Sequence, residues 1–190
     1  MNDPKLRCAW VKDLLMMKYH DEEWGTPVFE DRKQFEFLVL ESAQAGLSWA
    51  IVLRKRENYR KAFAKFDPRK VSKFSAVQVR KLLKNPGIIR NRLKIEAAIN
   101  NAKRFLEIQK EFGSFCDYLW RFVEGRTQHN QWKSLKDLPA NTPLSDALSK
   151  DLKKRGFKFL GSTVLYSHMQ AVGMVNDHVT TCFRYRELIQ

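Results

Sequence analysis

An apolar run from Phe35 to Leu40 leads directly into a carboxylate, and this junction constrains the fold of the chain strongly. The run continues into Glu41–Trp49, which reads ESAQAGLSW. A glycine at 46 followed by Ser48 is typical of a helix that ends where a second helix begins. A carboxylate on the buried side costs several kcal/mol unless something pairs with it. Glu41 therefore has two interpretations. It caps a neighbouring backbone group or meets an arginine, or it is the acid of a ligand pocket.

Helix-capping signals recur along the chain and predict an all-α fold, with no strand of any length. Asp31 and Gln34 are expected to form a capping box, and Ser75 with Gln78 a second one. No helix is assigned to residues 8–25, and residues 126–141 are interpreted as a long loop. The predicted helices cover about 31–44, Ser48 to about Phe63, Ser75–Lys84, about Arg90–Glu111, Ser114–Val123, Thr142 to Gly156, and Thr163 to about Met174. A further helix is expected to start at Pro68, with no predicted end. The long helix is expected to bury a stripe made of Leu93, Ala97, Ala98, Ala102, Phe105 and Leu106.

The charge balance indicates the kind of partner. Lys and Arg number 35 against 21 Asp and Glu, which gives a net charge of +14. Such an excess is typical of proteins that bind polyanions, most often nucleic acid. The alternatives are a merely basic protein and one drawn to acidic membranes. No apolar run approaches the roughly 20 residues of a membrane span. Three cysteines are too few for a disulfide scaffold, so we expect one domain in a reducing cytoplasm.

Four possible metal ligands lie near the two ends of the chain. Cys8 and His20 lie in the first part, and His178 and Cys182 in the last. Together they make a Cys2His2 set suited to tetrahedral zinc, with no position open to a substrate. Such a site would be a structural staple between the termini. The spacing matches no standard zinc finger, so unrelated core cysteines and surface histidines are the alternative.

The turn Asn85-Pro86-Gly87 joins two predicted helices and is followed by three basic residues, Arg90, Arg92 and Lys94. Free amides of such a turn, and of the next helix N-terminus, bind phosphate without reading bases. The alternative is an ordinary helical hairpin with solvated charges. Gly161-Ser162, with Lys158 nearby, is a weaker candidate of the same kind.

The aromatic residues Trp10, Tyr19, Trp24 and Trp49 form a further group. Their usual place is a hydrophobic core. A flat, electron-rich slot with one carboxylate, Glu41, also fits a cationic or electron-poor heterocycle.

Seven stretches together resemble the 3-methyladenine DNA glycosylase I family. They are RCAW (7–10), YHDEEWGTP (19–27), LESAQAGLSW (40–49), FDP (66–68), GIIRNRLKI (87–95), SDALSKDLKKRGFKFLGST (145–163) and VNDHV (175–179). They span nearly the whole chain. The resemblance implies a single domain, residues 1–190, with a helix-hairpin-helix near 76–105. It also implies one structural zinc ion on Cys8, His20, His178 and Cys182.

The resemblance also assigns roles to the remaining candidates. Glu41 and Trp49 belong to a base pocket walled by Tyr19, Trp24 and Trp10. Met16 stands where family members often carry a second tyrosine, so the pocket wall differs here. The DNA side is expected to include Gln44, Gly46, Leu47, Gly87, Arg90, Arg92, Lys94 and Lys158, with Leu47 as a wedge.

The activity implied is that of a monofunctional enzyme. The wider superfamily usually has a catalytic Asp after the hairpin, and none occurs here between Gly87 and Asp117. No lysine suits a Schiff base. We therefore expect hydrolytic removal of 3-methyladenine from alkylated double-stranded DNA, by a monomer in a bacterial cytoplasm. The alternative is a zinc-stapled module that binds DNA damage without catalysis.

Overall fold

The computed structural model describes residues 5–189 and is predominantly helical, as predicted. Two short strands and three 3-10 turns complete the described part. The helices are α1 Leu14–Glu22, α2 Asp31–Gln44, α3 Trp49–Ala62, α4 Pro68–Val71, α5 Ala76–Lys84, α6 Arg92–Phe112, α7 Phe115–Trp120, α8 Pro143–Lys154, α9 Ser162–Ala171 and α10 Phe183–Glu187. The 3-10 turns are Ala64–Phe66, Arg121–Val123 and Leu135–Asp137, and the strands are β1 Gln128–His129 and β2 Val175–Asn176.

Helix α2 is the centre of the molecule. Every residue from Gln34 to Ala43 is buried, because α3, α6, α7 and α9 all pack around it. A helix that is enclosed on all sides belongs to the core rather than to the surface. The position of Glu41 in its last turn is therefore an interior position.

Local capping explains most of the helix boundaries. The capping box of Ser75 and Gln78 is confirmed, Thr142 and Ser145 form another, and the side chain of Asn91 caps α6. The capping box predicted at Asp31 is wrong. The Asp31 carboxylate instead accepts from the amides of Phe115 and Cys116, at 2.9 and 2.8 Å, and so caps α7. A distant helix start competes successfully for this carboxylate.

The structure corrects the predictions in four further places. Helix α1 lies in the segment to which no helix was assigned, and its start is capped by Asp13. Leu93, expected in the buried stripe, is 61% exposed, because no described residue covers its side of the first turn of α6, whereas Ile95 in the same turn is buried. The predicted loop contains β1, which pairs in parallel with β2. The last long helix ends at Ala171, before the predicted end.

The two ends of the described chain meet. The amide of Phe183 donates to the carbonyl of Leu6 at 2.9 Å, and the Arg7 guanidinium pairs with Asp21 at 2.7 Å. The first contact brings the segment before α1 against the segment after β2, and the second holds that segment against α1. None of the helices that the structure describes is both long enough and apolar enough to cross a bilayer.

Candidate functional site

A cavity of about 330 Å³ opens beside the C-terminal end of α2. This volume suits a small planar ligand. The cavity contains all six residues that the sequence assigned to a pocket. Its lining consists of Trp10, Met16, Tyr19, Trp24, Glu41, Gln44, Trp49, Leu138, Ser167 and Gln170.

Glu41 is the acidic group of this cavity. It is 4% exposed, and its Oε2 atom has no hydrogen-bond partner among the described residues. Neither a cap nor an arginine meets it, so the purely structural interpretation lacks the partner that it requires. Burial raises the pKa of Glu41 to about 8. An unpaired interior carboxyl facing a cavity is typical of a functional site.

Four aromatic rings form a connected wall. The ring centroids of Trp24 and Trp10 are 5.1 Å apart, those of Trp10 and Tyr19 are 6.3 Å apart, and those of Tyr19 and Trp49 are 5.2 Å apart. Tyr19 is buried, which raises its pKa well above the ordinary value, so its hydroxyl stays protonated near neutral pH. The wall therefore offers neutral π-faces, which attract a flat cationic ligand.

A second cavity of about 590 Å³ lies on the other side of Tyr19. Most of its charged side chains are paired with one another. Arg56 donates to Glu23 at 2.7 and 2.8 Å and to the buried Glu36 at 2.8 Å, and Lys33 pairs with Glu23 at 2.8 Å. This ion-pair network supports the back of the aromatic wall, and it leaves few free groups for a ligand.

The turn after α2 projects outward from the first cavity. Gly46 has φ +79°, a left-handed conformation that favours glycine, and Leu47 beside it is exposed. A small cavity of about 140 Å³ joins this tip to Thr163 and Val164 at the start of α9. Glu41, Gln44 and Ser167 line both cavities. The pocket therefore continues towards the surface at Gly46-Leu47.

The four possible metal ligands converge on one buried point. The donor atoms of Cys8, His20, His178 and Cys182 all lie within 4.8 Å of one another. The Cys182 sulfur is 3.4 Å from His20 Nε2 and 3.4 Å from His178 Nδ1, and the two histidine nitrogens are 3.2 Å apart. The hydrogen bond between the two thiols lowers the pKa of Cys182 and raises that of Cys8. This group could hold a metal ion.

Neighbouring groups fix the orientation of both histidines. His20 Nδ1 lies 2.7 Å from Asp21, and His178 Nε2 lies 3.0 Å from the Trp24 carbonyl. Partners of this kind leave the opposite ring nitrogen available to a metal. Trp24 also contacts the His178 ring, with the centroids 4.6 Å apart. The cluster therefore lies directly behind the aromatic wall of the cavity.

The predicted DNA-side residues of the α5–α6 turn have specific local partners. The amide of Gly87 donates to the Asn85 side chain at 2.8 Å, so this amide is already satisfied. The Lys94 ammonium donates to the carbonyls of Ala43 and Ala45, at 2.8 and 2.6 Å, which joins α6 to the end of α2. Arg90, Arg92 and Lys158 are exposed.

The sequence missed three cavity residues. Leu138 lies in the segment interpreted as a loop, and Ser167 with Gln170 lies on α9. Their residue types alone gave no signal, because α9 also carries polar residues that do not line this cavity, such as Thr163 and His168. The remaining histidines have ordinary partners, since His168 contacts Gln34 at 2.9 Å and His129 contacts Asn176 at 3.3 Å. Cys116 is a buried core residue, as predicted.

The fold is predominantly helical, and it carries an aromatic pocket, an interior acid and a strong positive charge. These features together are typical of proteins that act on nucleic acids. Comparison with known proteins gives the family. A model described as methyladenine glycosylase matches residues 10–185, and the chain belongs to that family.

Similar proteins agree with this assignment along nearly the whole chain. DNA-3-methyladenine glycosylase 1 of Escherichia coli (strain K12) is 51% identical over 180 residues, 94% of this chain and 96% of that protein. A crystal structure of a 3-methyladenine DNA glycosylase I superposes with a TM-score of 0.91 at 53% identity, covering 94% of this chain and 98% of the other. A variant of such an enzyme in complex with 3-methyladenine superposes with a TM-score of 0.90 at 38% identity, covering 93% and 96%.

Proposed function

We propose that this protein is a DNA glycosylase of base-excision repair that hydrolyses the N-glycosidic bond of 3-methyladenine in alkylated DNA. The observation that carries the proposal is the aromatic cavity with an unpartnered, buried Glu41. The names of the similar proteins, and the bound 3-methyladenine of one of them, support the same substrate.

The extruded base would stack against the aromatic wall, with Glu41 beside it. A nucleobase must leave the duplex before an enzyme can enclose it in this way. Methylation at N3 makes the base cationic, so Trp49 and Tyr19 would bind it through their π-faces. The cationic base would favour the ionised form of Glu41, whose carboxylate would accept a hydrogen bond from the exocyclic amine and stabilise the positive charge of base and sugar.

The reaction requires no strong acid. The bond between C1′ and N9 breaks, its electron pair goes to N9, and neutral 3-methyladenine leaves. Water then adds to C1′ and loses a proton, which produces an abasic site. No lysine lines the cavity in the described part of the chain, so no lysine amine is placed there to form a Schiff base with the sugar. We therefore propose a monofunctional enzyme that leaves the strand intact.

The DNA would lie across the exposed tip at Gly46-Leu47, with Leu47 entering the vacated stack and Gln44 at the neck of the cavity. The α5–α6 unit would act as a helix-hairpin-helix near residues 76–105. Its phosphate contacts would come from Arg90, Arg92 and the open first-turn amides of α6. Lys158, before α9, would bind the backbone nearby. Gly87 and Lys94 already bind groups within the protein, so we propose that they shape this surface rather than contact phosphates.

We also propose one structural zinc ion per chain on Cys8, His20, His178 and Cys182. Around tetrahedral zinc, two nitrogens lie about 3.3 Å apart, and a nitrogen and a sulfur about 3.6 Å apart. The observed separations of 3.2 Å and of 3.4–3.6 Å fit this geometry. Four protein ligands leave no position for a substrate, so the ion would stabilise the junction of the termini.

The remaining proposals concern the molecule in the cell. We propose a monomer acting as a single domain of residues 1–190, because one chain is sufficient to form the cavity with its acid and its aromatic wall. The cysteines at 8, 116 and 182 are buried and form no disulfide, which supports the reducing cytoplasm of a bacterium.

The test is an abasic-site assay on alkylated duplex DNA, with the released bases identified. We expect free 3-methyladenine and alkali-labile sites without direct strand cleavage. Binding to alkylated DNA without release of a base would instead support the alternative, a zinc-stapled module that recognises damage but does not act on it.

A further inference from the structure

Two helices contribute matched polar pairs to the cavity. Helix α2 contributes Glu41 and Gln44, and α9 contributes Ser167 and Gln170. Each pair is spaced i, i+3, so both members face the same side of their helix. Because α2 and α9 pack against each other, the two pairs border one seam. A flat base that stacks on the aromatic wall would present its polar edge to this seam.

The orientation of the Gln170 amide follows from its partner. Its Nε2 atom lies 2.7 Å from Asp177 Oδ2. An ionised carboxylate only accepts hydrogen bonds, so the amide group must direct its NH2 towards Asp177. The carbonyl oxygen of Gln170 then remains as the polar atom available to the cavity.

Asp177 is itself held by several donors. It is 1% exposed, and its Oδ1 accepts from Asn130 at 2.6 Å and from Trp132 at 2.8 Å. Its Oδ2 accepts from Tyr166 at 2.5 Å in addition to Gln170. A buried carboxylate with four donors is rigid, and rotation of the Gln170 amide would place two oxygens against each other. The carbonyl of Gln170 is therefore a fixed acceptor.

An exocyclic amine carries two hydrogens and can satisfy two acceptors. We propose that Gln170 is a specificity-determining residue, whose carbonyl accepts one amine hydrogen of the extruded base while Glu41 accepts the other. This inference rests on the proposed function and names the feature of the substrate that the site reads. A base with a keto oxygen at this position, such as 3-methylguanine, would oppose both acceptors and leave them unpaired.

The experiment compares release of 3-methyladenine and 3-methylguanine from methylated duplex DNA under single-turnover conditions. Gln170→Met keeps the length of the side chain and removes both polar atoms. We expect 3-methyladenine release to fall about tenfold while 3-methylguanine release is unchanged, so selectivity decreases. Gln170→Asn keeps an amide on the helix, but its shorter side chain moves the carbonyl away from the base. It should therefore also lower the ratio of 3-methyladenine release to 3-methylguanine release.

Gln131→Met is the matched control, because it makes the same substitution at an exposed glutamine outside the cavity. Its release ratio should stay at the wild-type value. An equal loss for both bases in the Gln170 variants would overturn the proposal, as would an unchanged ratio or a Gln131→Met protein with the same shift. Failure of the wild-type protein to release 3-methyladenine would instead overturn the proposed function itself. Melting curves and metal content are measured for every variant.

Discussion

The buried position of the Glu41 carboxylate lowers the stability of the folded protein. It lies in the core helix with no partner for Oε2, and burial raises its pKa from an ordinary value of 4.5 to about 8. The folded state therefore favours the protonated form. Protonated Glu41 therefore contributes to the free energy of unfolding. This contribution is fully present below pH 4.5 and is lost as the pH rises to about 8. A carboxylate that opposes folding at alkaline pH, yet faces a cavity, is consistent with a role in function.

Glu41→Gln should separate stability from activity. The amide cannot ionise, so above pH 8 we expect the variant to be more stable than the wild type, by on the order of a few kcal/mol. Release of 3-methyladenine should slow by about ten- to a hundredfold, because one charge-assisted contact is lost. The measurements are melting curves between pH 4 and 9 and single-turnover release. A folded variant with wild-type release would falsify the pocket assignment, and a destabilised one would favour a structural role.

At the scale of the elements, α6 connects two segments around the pocket mouth. Lys94, in its first turn, donates to the last carbonyls of α2, where a cation also meets the negative end of the helix dipole. Asn101, two turns further along the same face, bonds both the amide and the carbonyl of Lys158 at 2.8 Å. The end of α2 and the segment before α9 are thus held by one helix.

Lys94→Met should therefore impair the alignment of the tip more than the attraction to DNA. We expect slower release of the base and a loss of about 1 kcal/mol in the free energy of unfolding, with the salt dependence of DNA binding unchanged. Lys103→Met, an exposed position on the same helix, is the control. A reduced salt slope for Lys94→Met would show that this ammonium contacts a phosphate, as the sequence suggested.

The helices could be predicted largely because their caps are local. Ser75, Asn91 and Thr142 act within four residues of their own position, and the sequence shows such signals directly. Asp31 was misinterpreted because its partners lie more than eighty residues away, in α7. Leu93 was misplaced because helical periodicity does not reveal where the rest of the fold stops covering a helix.

The site was predictable to a similar extent. The aromatic residues and the carboxylate were identified from residue type and from the family resemblance, and they line one cavity. Ser167 and Gln170 were missed because only the packing of α9 against α2 brings them to the seam. The role of Asp177 depends on donors from two segments that are far apart in the sequence, and no short motif encodes such a group.

At the scale of the whole molecule, the Cys-His cluster joins the segment before α1 to the segment after β2. We expect one zinc ion per chain, and Cys182→Ser should lower both the metal content and the melting temperature, because metal binding is coupled to folding. Cys116→Ser, at a buried cysteine outside the cluster, should keep its zinc. Full stability in a metal-free preparation would refute the proposed role of the cluster.

The net charge of +14 predicts how the entire protein meets DNA. Each phosphate contact releases counterions, so affinity should fall steeply with added salt. Arg92 is exposed, and its only described ion pair is with the exposed Glu96, at 3.3 Å, which leaves it accessible to a phosphate. Arg92→Ala should therefore reduce the slope of log affinity against log salt by about one.

The same change should weaken binding to damaged and undamaged duplex alike, because a phosphate contact carries no information about the base. Lys110→Ala is the matched control. It removes an exposed charge near the other end of α6, about 27 Å from Arg92 along the helix axis. If both variants changed the slope equally, the effect would be one of net charge rather than of the hairpin. A loss confined to damaged DNA would assign Arg92 to the lesion, contrary to the phosphate contact proposed for it.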